Sequence, residues 1–496
     1  MISLRANILA NFAGSIWAAL MNVLFVPVYI RFLGIETYGL IGVFTALQSW
    51  LVLLDMGLMQ TMSREMARFV GGNYQGLNIH RLLRSVEVVY VALAMFFSLA
   101  WYGLCPWIGR EWLNRGTLAE EDVVMALKIM GLVVSLRWIS GLYRVSVLGL
   151  QRQVSLNLAL IVFSTLRGAG VLGVLAFVEC SIYAFFIYQG FVAFLEAFAL
   201  RFLVYSYLPK TKEWVGFDFL ELKRVWKFAR GVFLISLLSL LLTQVDKLIL
   251  SKMLLLSDFG YYTLAGLIAS SLYQLITPVS NAVYPKMVEY LSRNDSNRIA
   301  SVYHRYSMFM SLATIPAAVV MALFSEHLLL LWTKDQQTAQ IAAPVLSVLV
   351  LGTMFNGLMH MPYLMQLASG WTELTVKINI VAVIVLVPSL VLVSPGYGMM
   401  GAATVWCLLN LGYVLIAVPL MHRRLLIHEM RSWYLKDVIP IGLISIFVAG
   451  SVAIFTPKPS VHSVFEGFFW ILMASVLSFG LSFLYVRKNG SPVNQN

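Results

Sequence analysis

Charged residues are scarce in this chain, and their scarcity decides its class. Asp, Glu, Lys and Arg make up 12% of the 496 residues, whereas 60% of the residues are hydrophobic. Soluble domains carry about 25% charged residues, so a water-soluble core of this composition is excluded. Apolar stretches of about 20 residues recur along the whole length, each long enough to cross about 30 Å of hydrocarbon as a helix. The sequence predicts an all-α polytopic membrane protein.

Signatures of nucleotide, metal and hydrolase chemistry are also missing. The sequence contains no GxxxxGK[ST] loop, which excludes ATP binding through a Walker motif. Its three cysteines and seven histidines form no group with metal-ligand spacing, and no Gly-x-Ser-x-Gly elbow occurs. Cys105 and Cys180 map near the predicted outer face, and the sequence leaves open whether they pair. We expect a protein that is not an enzyme and that needs no cofactor or metal.

The apolar stretches predict fourteen transmembrane helices. The first is too long for the 7–15-residue core of a cleavable signal peptide, so it is kept as a span. The predicted spans are 8–30, 39–61, 85–104, 123–148, 157–178, 182–204, 229–251, 259–284, 305–326, 342–366, 374–394, 401–421, 438–456 and 465–486.

Lysine and arginine set the expected orientation. The chain carries 35 of them and a net charge of +12, and most lie in predicted inner loops, above all 205–228 and 422–437. Positive charge is retained on the cytoplasmic side, so both termini are predicted to be cytoplasmic in a bacterial inner membrane. The basic stretches are neither long nor interleaved with aromatic residues, so they do not indicate a nucleic-acid partner.

A shift of 221 residues brings two motifs into register. Residues 33–39 and 254–260 both form a short outer turn that ends in an aromatic residue and glycine at the start of a span. Six predicted spans separate the copies, and an even number gives both the same orientation, as in parallel transporter repeats. We therefore expect two six-helix lobes and an appended helix pair. The predicted segments are 1–204 (N-lobe), 205–228 (cytoplasmic linker), 229–421 (C-lobe) and 422–496 (helices 13 and 14 with the tail).

Seven short motifs lie near the front and the middle of the chain. They are NILANF at 7–12, FVPVY at 25–29, FLGIETYG at 32–39, LDMGL at 54–58, REMAR at 64–68, TQVDK at 243–247 and FGYY at 259–262. These motifs resemble those of Wzx-type O-antigen flippases of the multidrug/oligosaccharidyl-lipid/polysaccharide exporter superfamily. The resemblance implies a flippase that moves a polyprenyl-pyrophosphate-linked oligosaccharide from the cytoplasmic to the periplasmic leaflet. Many O-antigen flippases have twelve spans, whereas fourteen occur in other polysaccharide exporters and lipid II flippases. The substrate branch therefore stays open.

Three arginines lie inside predicted spans and more than three residues from either span end: Arg137, Arg144 and Arg167. An isolated cation at bilayer depth costs roughly 2.5–3.5 kcal/mol on insertion scales, so such groups face protein or a wet cavity. Arg137 and Arg144 are seven residues apart and share one helix face. Guanidinium binds phosphate in a bidentate manner, which predicts a cationic cavity for a pyrophosphate group.

Two alternatives to this cavity remain open. The arginines could form structural ion pairs with carboxylates of neighbouring helices, for which the candidates are Asp55, Glu87 and Glu196. Arg144 could instead reach the membrane interface along its aliphatic stem.

Other polar residues within spans are candidates for ion coupling or gating. They are Asp55, Glu87, Asp246, Lys247 and His360. A buried carboxylate or imidazole could carry a proton during transport. The same side chains could equally serve as counter-ions or hydrogen-bonded structural groups.

Polar stripes on helices one and eight add two further candidates. Asn11 and Gln274 lie on them, where amides could bind sugar hydroxyls or make ordinary interhelical hydrogen bonds.

The sequence thus favours a flippase that works by alternating access. Its expected partners are the lipid-linked oligosaccharide, membrane lipids, H⁺ or Na⁺ as a coupling ion, and other glycan-assembly proteins. The alternatives are a drug or cation exporter of the same superfamily, which would have an acidic cavity, and a membrane glycan polymerase or glycosyltransferase.

Overall fold

The computed structural model describes residues 4–55, 57–70, 76–211, 215–292, 296–460 and 464–489, which form helices joined by short turns. The helices are α1 (Leu4–Leu24), α2 (Val26–Leu33), α3 (Ile35–Leu51), α4 (Leu58–Val70), α5 (Gly76–Trp107), α6 (Glu120–Gly149), α7 (Gln153–Thr165), α8 (Val171–Phe177), α9 (Ile182–Tyr207), α10 (Phe219–Met253), α11 (Leu256–Ser270), α12 (Tyr273–Ser292), α13 (Ser296–Leu323), α14 (Ser325–Thr333), α15 (Gln336–Ala368), α16 (Thr372–Gly412), α17 (Val418–Leu425), α18 (Met430–Ser432), α19 (Ile439–Phe455) and α20 (Val464–Asn489). Short π-helical segments interrupt this pattern at Ile108–Trp112, Leu166–Gly170, Tyr413–Ala417 and Trp433–Val438. The prediction of an all-α polytopic membrane protein is confirmed.

Eleven helices within these described ranges are long and apolar enough to cross a membrane. Twelve of the fourteen predicted spans overlap them, because the helical stretch Glu373–Leu425 covers two predictions, 374–394 and 401–421. The remaining two predictions fall on α10 and on the pair α11–α12. The number of fourteen therefore stays a prediction.

Gly398 explains why one long helical stretch holds two predicted spans. Its backbone has φ 55° and ψ −141°, so helical geometry is broken at this residue. Glycine lacks a Cβ and adopts positive φ at little steric cost. The break lies three residues after Pro395, within the predicted turn between spans eleven and twelve.

Helix contacts divide the chain into two units, Met1–Gly260 and Tyr261–Asn496. In the first unit, α6 packs along α9 and α5, α1 packs on α7, and α10 contacts α3, α4 and α5. In the second unit, α15 packs on α13 and α16, while the C-terminal pair α19–α20 packs on α13. The lobe boundaries inferred from the repeat remain predictions.

A reciprocal contact joins the two copies of the repeated motif within the first unit. A Cβ added to Gly39 would lie 2.1 Å from the carbonyl oxygen of Leu256. One added to Gly260 would lie 2.6 Å from the carbonyl oxygen of Ile35. Ile35 and Leu256 are equivalent under the 221-residue shift, as are the two glycines, so each copy repeats the contact of the other. The glycines are needed because the backbones approach too closely for any side chain.

The three cysteines are free thiols. Cys105 is buried and Cys180 is exposed, and the Cys180 Sγ lies 3.2 Å from the carbonyl oxygen of Phe32. The structure therefore contains no Cys105–Cys180 disulfide, which answers the question that the sequence left open.

Candidate substrate-binding site

The three predicted arginines lie together in the first unit, around a single carboxylate. Arg137 and Arg144 project from α6, and Arg167 lies in the π-helical segment that follows α7. All three are close enough to Glu196 of α9 for electrostatic interaction. We call Arg137, Arg144, Arg167 and Glu196 the arginine cluster.

Glu196 pairs with two of the arginines. Its Oε1 accepts a hydrogen bond from Arg144 Nη2 at 2.9 Å, and its Oε2 lies 3.5 Å from Arg167 Nη1. The carboxylate is almost fully buried at 1% exposure, whereas the side chains of Arg144 and Arg167 are 41% and 21% exposed. Two guanidinium groups therefore share one buried negative charge.

Arg137 is held by a neutral partner instead. Its Nη2 donates to Gln189 Oε1 at 2.6 Å, and its guanidinium lies over the Phe44 ring at 4.9 Å. Among the residues that the structure describes, none places a carboxylate within salt-bridge distance of Arg137. An amide and an aromatic face hold a guanidinium in position without cancelling its charge.

The hydrogen-bond partners of Arg137 and Arg144 follow one register along the parallel helices α6 and α9. Arg137 bonds to Gln189 and Arg144 bonds to Glu196, so both pairs are separated by 52 residues. Seven residues separate the two positions on each helix, which brings the same faces together over two turns. The packing of α6 along α9 thus fixes the arginines side by side.

The π-helical segment 166–170 is tied to its surroundings through its own carbonyls. A wider helical turn leaves backbone oxygens without their usual i+4 donors. Here Tyr188 Oη donates to the Leu166 oxygen at 3.1 Å, and Gln189 Nε2 donates to the Arg167 oxygen at 3.1 Å. Tyr29 Oη donates to the Gly168 oxygen at 3.0 Å. These bonds anchor the backbone that carries Arg167.

The cluster has an excess of positive charge and of donors. Three guanidinium groups and one carboxylate leave two net positive charges, so the ion pairs are not one-for-one. The Nε atoms of Arg137 and Arg144 are buried and have no hydrogen-bond partner. Buried donors without partners are rare in folded proteins, so these two N–H groups are available to donate to water or to an anionic ligand.

Asp55 lies outside the cluster and caps a helix. Its Oδ1 accepts the backbone N–H of Met59 at 2.8 Å at the start of α4, and it also accepts the hydroxyl of Tyr90. The Tyr90 ring stacks on Trp138 with centroids 4.4 Å apart. The carboxylate is 5% exposed. These contacts are typical of a buried carboxylate that accepts structural hydrogen bonds.

Glu87 forms a second ionic group in the same unit. Arg84 Nη1 donates to its Oε2 at 2.9 Å, and Arg201 Nε lies 3.3 Å from its Oε1. Tyr205 also donates to Oε2 at 3.0 Å. Glu87 therefore pairs with arginines that the sequence places at inner span ends, and not with the cluster.

The candidates of the second unit lie along a row of hydrogen-bonded polar side chains, which we call the polar seam. His360 Nδ1 lies 3.2 Å from Ser280 Oγ. Beside it, Tyr273 Oη donates to Asn356 Oδ1 at 3.0 Å, and Asn356 Nδ2 donates to Asn410 Oδ1 at 2.8 Å. These contacts are ordinary interhelical hydrogen bonds, which the sequence left open as the alternative to sugar binding for its polar stripes. Gln274 is exposed next to this seam.

The remaining candidates lie on α10 and α1. Lys247 Nζ donates to Gln244 Oε1 at 3.0 Å within α10, and Asp246 beside it is half-buried. Asn11 belongs to α1, but its side chain lies outside the described residues.

Two polar side chains with notable contacts, Gln189 and His304, were absent from the sequence-based candidates. Gln189 was missed, although it lies seven residues before Glu196 within an otherwise apolar span, a signal that the sequence does contain. His304 bridges Glu429 and Asp437 in the second unit. His304 is more than 120 positions from either carboxylate, and no periodicity in the sequence relates it to them.

Known proteins share both sequence features and fold with this chain. A family model described as "Polysaccharide biosynthesis protein" matches residues 28–339. A Shigella flexneri protein named "Putative O-antigen transporter" is 20% identical over 380 residues, which cover 76% of this chain and 87% of that protein.

Two solved structures share the fold. Lipid II flippase MurJ in an inward closed conformation superposes with a TM-score of 0.72 at 16% identity, over 97% of this chain and 99% of that one. An inward-facing multidrug resistance MATE family transporter of the MOP superfamily gives 0.61 at 13% identity, over 86% of this chain and 97% of that one. The family model matches more than half of the sequence, and this chain therefore belongs to the polysaccharide biosynthesis protein family.

Proposed function

We propose that this multi-pass membrane protein is a flippase for a polyprenyl-diphosphate-linked oligosaccharide. One observation carries the proposal: the arginine cluster holds three guanidinium groups and one carboxylate, and that carboxylate pairs with only two of the three. Transfer of a charged headgroup into bare hydrocarbon carries a Born-type penalty of tens of kcal/mol. Guanidinium groups in a low-dielectric wall offset that penalty through bidentate hydrogen bonds to phosphate oxygens.

Each arginine has a distinct part in this proposal. Arg137 offers an uncancelled charge and an unpartnered Nε–H, so it binds the diphosphate directly. Arg144 and Arg167 exchange part of their interaction with Glu196 for the diphosphate when the substrate enters. Glu196 then limits how tightly the anion is held, which allows release on the other side.

The family and the charge of the arginine cluster support this choice over the alternatives. The Shigella relative is named "Putative O-antigen transporter", and MurJ is named a lipid II flippase. A cation exporter needs an acidic binding site, whereas the cluster is cationic. We place the protein in a bacterial inner membrane with both termini cytoplasmic, moving glycan towards the periplasmic leaflet. H⁺ or Na⁺ is the proposed coupling ion.

The test uses purified protein in vesicles loaded with a fluorescent polyprenyl-diphosphate oligosaccharide. An impermeant quencher reports how much of the glycan has reached the outer leaflet. We expect flipping faster than in protein-free vesicles and no transport of organic cations. Equal rates with and without protein, or transport of organic cations alone, would overturn the proposal.

A further inference from the structure

His304 near the start of α13 is clamped between two carboxylates. Its Nδ1 lies 2.5 Å from Asp437 Oδ2, and its Nε2 lies 2.9 Å from Glu429 Oε2. The Asp437 side chain is 1% exposed and that of His304 is 18% exposed, whereas Glu429 is 35% exposed. We call these three residues the His304 trio.

The geometry fixes the number of protons that the trio holds. A hydrogen bond in each gap requires one hydrogen between each ring nitrogen and its carboxylate. A neutral imidazole supplies only one N–H, so a second proton must be bound, and the ring holds it because imidazole is a stronger base than a carboxylate. With this proton the trio has a net charge of −1, and without it the net charge is −2.

Loss of the additional proton would strain the site. One imidazole lone pair would then face a carboxylate oxygen at hydrogen-bond distance, beside a buried negative charge on Asp437. Buried charges without a partner are strongly unfavourable. The contact between α13 and the segment from Glu429 to Asp437 would open in response.

Buried polar atoms lie around the trio. Asp437 Oδ1 and His422 Nε2 are buried and have no hydrogen-bond partner, and the buried hydroxyls of Tyr303 and Ser307 lie next to each other. The Tyr303 ring lies between the two histidines, with centroids 5.5 Å from His304 and 5.4 Å from His422. Buried polar atoms of this kind bind water, which conducts protons. They provide a polar route beside Asp437.

Other charged and titratable groups of the described residues face the trio from several elements. They are Tyr303 on α13, His422 on α17, Tyr434 and Lys436 on the π-helical segment 433–438, and Tyr485 on α20. Tyr434 donates to the Val414 oxygen at 2.6 Å and Tyr485 donates to the Lys436 oxygen at 3.1 Å, so both hydroxyls are already engaged.

We infer that the His304 trio is a proton-binding site that ties the C-terminal helix pair to α13. Asp437 lies in a π-helical segment directly before α19, and such segments often mark functional positions in helices. Protonation holds this segment against α13, and deprotonation releases it. The inference rests on the proposed function only where it links this proton to flipping.

The proton itself is tested by histidine-selective nitrogen NMR of the full chain in lipid nanodiscs between pH 5 and 9. At pH 7 we expect the signal of one doubly protonated imidazole ring. This signal should disappear in His304→Gln. In Asp437→Asn or Glu429→Gln it should be replaced by the signal of a neutral ring. The control His327→Gln removes a ring that faces the Pro457 oxygen at 3.0 Å and must leave the signal of the doubly protonated ring intact. A neutral His304 at pH 7, or a charge that does not change from pH 5 to 9, would overturn the site.

Flipping of the fluorescent glycan lipid under an imposed pH gradient tests the link to transport. A gradient of one pH unit corresponds to 1.36 kcal/mol, so the wild-type rate should change by up to about tenfold. His304→Gln should flip at a rate that ignores the gradient, whereas His327→Gln should respond as wild type does. A gradient response that survives in His304→Gln contradicts the link. If no variant flips at all, the proposed function fails, and the NMR result still decides the proton site.

Discussion

Gln189 is the residue that leaves Arg137 charged and yet fixed. Its amide oxygen accepts from Arg137 while its amide nitrogen donates to the backbone of Arg167, so one side chain connects α6, α9 and the π-helical segment. An amide does this without adding a charge. A carboxylate at the same place would hold Arg137 just as closely but would cancel it.

Gln189→Glu tests whether charge or contact matters here. The new carboxylate should pair with Arg137 and reduce flipping by about tenfold or more, since a charge-assisted bond to the substrate is worth about 1.5–3 kcal/mol. Flipping in vesicles and thermal unfolding of the purified protein are the two measurements.

Gln189→Leu is the matched control, because both variants lose the bond to the Arg167 oxygen. It should be less stable than Gln189→Glu, since Arg137 loses its partner, but it should flip more glycan. If the more stable of the two variants also flips more glycan, cancellation of the Arg137 charge is not the cause of the lost flipping.

Asp55 was a candidate for ion coupling, and its contacts suggest a capping role that can be tested. Asp55→Asn keeps an oxygen for the Met59 N–H and the Tyr90 hydroxyl, so stability and coupled flipping should stay near wild type. Asp55→Ala removes the cap and should cost about 0.5–2 kcal/mol in unfolding free energy. Thermal unfolding and flipping under ion gradients measure both effects. Loss of coupling in a stable Asp55→Asn protein would restore the ion-coupling role.

The sequence identified the three arginines of the candidate site but missed Gln189, the neutral partner of Arg137. Arg137, Arg144 and Arg167 stand out because cations are costly in apolar spans. Their partners were harder to assign, because any of three carboxylates could reach them by sequence alone. Only the packing of α6 along α9 selects Glu196 and directs Arg137 to Gln189.

Helices show a similar division between what pattern can and cannot predict. Long apolar stretches predicted most spans, since hydrophobic length is read directly from composition. The π-helical segments, the break at Gly398 and the end of α11 at Ser270 depend on contacts between distant segments or on local backbone geometry, which hydropathy does not report.

The reciprocal glycine contact makes an element-level prediction. Gly39→Ala and Gly260→Ala each place a methyl group within 2.1 Å or 2.6 Å of a backbone oxygen, so the two segments must move apart. Overpacking of this kind costs typically 1–3 kcal/mol. We expect both variants to unfold at lower temperature and to flip less glycan, by similar amounts because the contacts are equivalent.

Gly266→Ala is the matched control for this pair. It lies in the same apolar helix as Gly260, but an added Cβ would meet nothing within 4 Å. Alanine is the better helix former by about 1 kcal/mol, so this variant should be as stable as wild type or more so. If Gly39→Ala and Gly260→Ala are as stable as the control Gly266→Ala, the two backbones are not in close contact.

At the scale of the molecule, the fold alone does not select the cargo. MurJ and a multidrug MATE transporter share this architecture, and fold does not imply function. The feature of this chain that bears on the cargo is the net positive charge of the arginine cluster in its first unit. The all-helical class was accessible from sequence, whereas the sharing of one carboxylate by two arginines required the assembled helices.

The account depends on positive charge in the arginine cluster binding a diphosphate, and the most direct measurement is the affinity for a polyprenyl diphosphate in nanodiscs. Arg137→Gln should weaken binding by about tenfold to hundredfold, corresponding to about 1.5–3 kcal/mol, whereas Glu196→Gln should tighten it. Arg110→Gln, which removes an exposed charge paired with Glu120, should change nothing. Wild-type affinity in folded Arg137→Gln, or weaker binding in folded Glu196→Gln, would contradict the account.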